Sequence, residues 1–97
     1  MNLSEFRATL ESGSPPRGME AALRALWHEA KGDWDRAHAM VQTLRGKDAA
    51  AVHAYLHRRE GDLSNADYWY GRAGVARTRG ALDKEWAALV ETLLKEE

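Results

Sequence analysis

The chain uses one short pattern twice, and that repetition constrains its fold more than any other feature. Leu26-Trp27-His28-Glu29-Ala30-Lys31-Gly32-Asp33-Trp34-Asp35-Arg36-Ala37 aligns without gaps on Tyr55-Leu56-His57-Arg58-Arg59-Glu60-Gly61-Asp62-Leu63-Ser64-Asn65-Ala66, at an offset of 29 residues. His28 falls on His57, Gly32-Asp33 on Gly61-Asp62 and Ala37 on Ala66. Further on, Val41 falls on Tyr70 and Leu44 on Ala73. A period of this size predicts a supersecondary unit stacked on a copy of itself.

Each unit reads as two helices around a Gly-Asp turn. Ahead of Gly32, apolar residues at 19, 22, 23, 26, 27 and 30 keep helical spacing. Glycine closes such a helix because, without Cβ, it enters the left-handed region freely. Asp33 can then accept an orphan backbone N–H at the start of the next helix, which carries Trp34, Ala37, Met40, Val41 and Leu44 and ends at Gly46. Asp48 is expected to cap a third helix with Ala51, Val52, Tyr55 and Leu56, and Asp62 or Ser64 a fourth with Ala66, Trp69, Tyr70 and Ala73. At the two ends, Leu3, Phe6 and Leu10 form a short helix stopped by Pro15-Pro16. Leu82, Trp86, Leu89, Val90, Leu93 and Leu94 form an apolar stripe with Asp83 as its expected N-cap. Strand-like alternation is absent. The expected fold is all-α with about six helices in one domain. It comprises an N-terminal helix within 1–13, hairpins over 19–46 and 48–74, and a C-terminal helix within 82–97.

Gly61-Asp62 followed by Ala66, Tyr70 and Ala73 resembles the second half of the tetratricopeptide repeat motif, and Gly32-Asp33 with Ala37 is a partial copy. The sequence departs from that family in its 29-residue offset, against about 34, and in lacking the Trp and Leu-Gly signature of the first helix. The resemblance covers residues 20–74 and implies helical hairpins that bind a protein, a peptide or a second copy of the chain. The runs around Gly32-Asp33 and Gly61-Asp62 also look like a small group of bacterial proteins, a resemblance that implies no activity.

Fourteen Lys+Arg stand against 15 Asp+Glu, for a net charge of −1, which argues against a nucleic-acid partner. The chain has no cysteine, so thiolate metal sites and cysteine catalysis are excluded. No apolar run reaches the roughly 18 residues of a membrane span. The N-terminal residues lack the basic head and apolar core of a signal peptide. A cytoplasmic protein is expected.

Three groups of side chains carry candidate function. His53 and His57 stand four apart, a spacing that puts two imidazoles on one helix face and suits a metal, with His28, His38 or a carboxylate as further ligand. Tyr68-Trp69-Tyr70 cannot all face the core, since consecutive helical residues point about 100° apart. The repeat sends Tyr70 inward and leaves Tyr68 outward, where it forms a candidate protein-binding surface with Tyr55, Arg58, Arg59 and Arg72. Arg58, Arg59, Arg72, Arg77 and Arg79 also offer an alternative anion or nucleic-acid surface. The tryptophans read as core. No nucleophile elbow, phosphate loop or dinucleotide fingerprint is present, so no catalytic residue and no cofactor are expected. These readings converge on a non-catalytic protein-interaction module, with a metal-binding or enzymatic protein built on His53 and His57 as the alternative.

Overall fold

The structure is a computed structural model that describes residues 1–96. Its helices are α1 (Leu3–Thr9), α2 (Ala21–Ala30), α3 (Trp34–Gln42), α4 (Lys47–Glu60), α5 (Leu63–Ala73) and α6 (Leu82–Lys95). The all-α expectation is met, and the described residues contain no strand. No described helix is long and apolar enough to cross a membrane.

The two Gly-Asp turns have the same construction. Gly32 and Gly61 adopt φ of 91° and 88°, values in the left-handed region that only glycine enters without strain. Asp33 N–H donates to His28 O and Asp62 N–H to His57 O, both at 2.9 Å. The Asp33 carboxylate then accepts from Arg36 N at 3.1 Å, and that of Asp62 from Asn65 N at 3.2 Å. Every partner in one turn lies 29 positions from its counterpart in the other.

Two expected caps are corrected. The N-cap of α4 is Gly46, with φ of 100° and no side-chain cap, so Asp48 falls inside the first turn. The N-cap of α6 is Ala81, and Asp83 again lies in the first turn. An aspartate in the first turn is favoured by the helix dipole, and composition alone does not separate that position from the cap.

Helices α2 and α4 supply the centre of the core through Leu23, Leu26, Trp27, Val52, Tyr55 and Leu56. Helix α3 packs on both, and α5 packs on α4. Small Ala54 and Ala66 sit with Tyr70 in the α4–α5 contact, where they permit close approach. Helix α6 lies against α2 and α4 together, and α1 closes onto α6. Trp86 pins this arrangement: its Nε1 donates to Leu26 O at 3.0 Å, and its ring meets Phe6 at 5.7 Å between centroids. Trp27 and Trp86 are core, as expected, whereas Trp34 and Trp69 are half-buried.

Candidate functional site

The two faces of α4 carry different chemistry. On one, Tyr55, Arg58 and Arg59 turn toward α2 and α6. Tyr55 is 1% exposed, and its hydroxyl donates to Glu29 Oε1 at 2.6 Å. Burial first, and then the Glu29 carboxylate, push the Tyr55 hydroxyl pKa far above its ordinary value. Arg59 bridges Glu29 (3.5 Å) and Asp83 (3.2 Å). Arg58 donates to the buried Glu85 at 2.8 Å and to Gly80 O. Tyr70, from α5, donates to the other oxygen of Glu85 at 2.6 Å. These residues tie α6 down: Tyr55 is buried and Arg58 half-buried, so neither stands open on the binding surface assigned from sequence, whereas Arg59 remains exposed. Tyr55 and Arg59 do border a cleft of about 650 Å³ with Arg7, Trp34 and Trp86, but Glu29, Tyr55, Arg59 and Asp83 already satisfy one another there.

Of the remaining arginines, Arg77 and Arg79 lie together beside Arg58, and Arg72 stands apart. Arg77 makes two bonds to Asp67, at 2.8 and 2.6 Å, which neutralise it. Arg79 is exposed. Arg72 donates to the Tyr68 hydroxyl at 2.9 Å, and its guanidinium lies 5.9 and 5.6 Å from the ring centroids of Tyr68 and Trp69. Tyr68 is 55% exposed, the outward position expected from the repeat. Arg58, Arg77 and Arg79 thus share one cleft of about 790 Å³ with Asp67, and Arg72 lies apart from it beside Tyr68 and Trp69.

Beside Trp69 and Arg72 lies a pocket of about 300 Å³ between the end of α3, the start of α4 and α5. Val41, Leu44, Ala49 and Ala50 contribute its apolar floor, and Arg45, Lys47 and Arg72 its charge. Among the described residues no carboxylate lines it and none of these three cations forms an ion pair. The uncapped start of α4 borders the same space.

The other face of α4 presents His53 and His57 to α3, which contributes His38. The His38 and His53 Nε2 atoms are 3.1 Å apart. One ring nitrogen from each of the three histidines lies within 4.8 Å of the others. The rings of His53 and His57 stack at 5.0 Å, and His38 meets both edge-on at 4.8 and 5.0 Å. Two indoles flank the group. Trp34 stacks on His38 at 4.8 Å, and Trp69 on His53 at 3.9 Å. Trp34 is itself held by a 2.7 Å bond from Nε1 to Leu56 O. His57 Nδ1 is bonded to Glu60 Oε2 at 2.6 Å. His53 is 4% exposed, and burial, followed by the charges of His38 and His57, holds its pKa near about 4. The pKa of His38 is lowered by burial first and then by His57.

The expected pair is thus real, and the third imidazole comes from His38. His28, weighed equally from sequence, lies edge-on to Trp27 at 5.1 Å and outside the trio. The i, i+4 spacing reveals a pair on one helix, but only the packing of α3 on α4 selects His38. The buried Glu29 and Glu85 carried no sequence signal, because each finds its tyrosine only after the helices pack.

The fold and site define a helical-hairpin protein with a histidine trio, two members buried and one half-buried, beside a basic, aromatic surface. Compared with family models, with curated proteins and with solved structures, the chain gives no match.

Proposed function

We propose that the chain is a cytoplasmic, non-catalytic binding module that takes an acidic peptide segment on the surface shared by α3, α4 and α5. The observation that carries this reading is the rim of Arg45, Lys47 and Arg72 around an apolar floor, with no lining carboxylate among the described residues to neutralise it. A glutamate or aspartate seated there would gain from all three cations and from the free N–H groups that open α4. Tyr68 and Trp69 with Arg72 add the aromatic and arginine contacts in which binding energy concentrates. The resemblance to tetratricopeptide proteins points the same way, toward a protein or peptide partner or a second copy of the chain.

Fluorescence anisotropy with labelled peptides tests the reading. The probes are an alternating Glu-Leu peptide and its Lys-Leu counterpart. The acidic peptide is expected to bind and to weaken steeply with salt. Joint Lys47→Glu and Arg72→Ala substitution is expected to abolish binding without shifting the melting temperature. Equal binding of both peptides, or indifference to the double substitution, would overturn the proposal. Sedimentation of the chain alone examines the second-copy form, which predicts a dimer dispersed by the same substitutions.

A further inference from the structure

We propose that His38, His53 and His57 form a binding site for one divalent transition-metal ion. The trio is drawn from two helices that pack side by side, and its ring nitrogens converge. Ligands at about 2.0–2.1 Å from a tetrahedral ion stand a little over 3 Å from one another. The His38 and His53 Nε2 atoms already meet that spacing at 3.1 Å. One ring nitrogen of His57 lies within 4.8 Å of the other two, so His57 completes the set by closing in by up to about 1.5 Å.

The surroundings resemble those that prepare imidazoles for a metal. Glu60 bonds to His57 Nδ1, fixing the proton there and leaving Nε2 as the donor atom. Trp34 and Trp69 lie flat on His38 and His53 and restrict rotation of both rings. His38 is only half-buried, which leaves a route of entry.

The trio is not a by-product of the repeat. At the 29-residue offset, His57 matches His28, but His38 matches Asp67 and His53 matches Arg24. Two of the three histidines thus occupy positions where the repeated unit carries something else. Nor does packing require them, since apolar side chains would fill the same space without the cost of burying polar rings.

Three imidazoles and no thiolate select ions of intermediate softness, zinc, copper(II), nickel or cobalt(II), over magnesium or calcium. Three protein ligands also leave a fourth position for water or an exogenous ligand.

The test is titration of the chelator-stripped full chain with zinc chloride, followed by calorimetry and by competition with a chromophoric chelator. Binding of one ion per chain, tighter than about 10 μM and with a rise in melting temperature, is expected for three imidazoles. His38→Asn should weaken it at least tenfold, Glu60→Gln by about 10–100-fold, and His28→Ala not at all. Circular dichroism establishes that each variant is folded. If His38→Asn does not fold, the wild-type cobalt(II) spectrum decides instead, because intense visible bands require a tetrahedral site. Binding weaker than about 10 μM, binding unaffected by His38→Asn in folded protein, or an octahedral cobalt spectrum would overturn the proposal.

Discussion

His38 and His53 meet Nε2 to Nε2 at 3.1 Å, across the contact between α3 and α4. A bond between two imidazole nitrogens needs one to donate and the other to accept, so it exists only while at least one ring is neutral. Protonating both sets donor against donor in a buried space. The α3–α4 contact is therefore sensitive to acid in a way that an apolar contact is not.

In metal-free protein this sensitivity has a sign and a window. His53 titrates near about 4 in the folded chain, and His38 and His28 are also lowered, each chiefly by burial. In the unfolded chain all three titrate near about 6.5. Between these values the unfolded state binds more protons, so stability is full above about pH 6.5 and falls as the pH drops toward 4. His53 alone contributes a slope approaching 1.4 kcal/mol per pH unit, to order of magnitude. Urea denaturation across that window should show the decline, and a flat profile would contradict the neutral, buried assignment.

Glu85 should be the most sensitive charged position. It is buried and accepts from both Arg58 and Tyr70. Burial, then the bond to Glu85, push the Tyr70 hydroxyl up to about 12. Tyr70→Phe should cost about 1.5–3 kcal/mol, the range for a hydrogen bond to a charged group. Glu85→Ala strands both partners and should cost about 3–5 kcal/mol. Denaturant midpoints of the single and double variants measure the coupling, and additive losses would show that the bonds are not formed in solution.

Gly61 isolates a backbone effect. An added Cβ there meets nothing within 4 Å, so only the φ of 88° resists substitution. Gly61→Ala should cost about 1–2 kcal/mol, and Gly61→Asn less, because asparagine tolerates the left-handed region. Equal stability of wild type and the alanine variant would place the turn in another conformation.

Adjacent Tyr68 and Trp69 should behave oppositely. Tyr68→Ala should leave stability within about 0.5 kcal/mol, as for an exposed side chain. Trp69→Ala removes the ring stacked on His53 at 3.9 Å and should cost about 3 kcal/mol. Melting curves of the two variants suffice to check this.

The parts of the fold that depend on local chemistry were legible in the sequence. Gly32-Asp33 and Gly61-Asp62 state their turns outright, because positive φ and capping are properties of single residues. The inward Tyr70 and outward Tyr68 follow from helical geometry and the repeat. What depends on helices meeting was not legible. Tyr55 and Arg58 look like surface residues until the helices pack, and His38 is one histidine among several until α3 lies on α4. Asp48 and Asp83 misled because the first turn and the cap favour the same residue.

The bond from Trp86 to Leu26 joins the last described helix to the first hairpin, across 60 positions of sequence. Helices α2 to α5 are joined by short connections and can pair as soon as they are synthesised. The α2–α4 face that holds Leu26 must wait, because its cover, α6, is made after all the others. A chain lacking the residues from Leu82 on would carry two hairpins with that face bare, apolar surface that one further helix covers.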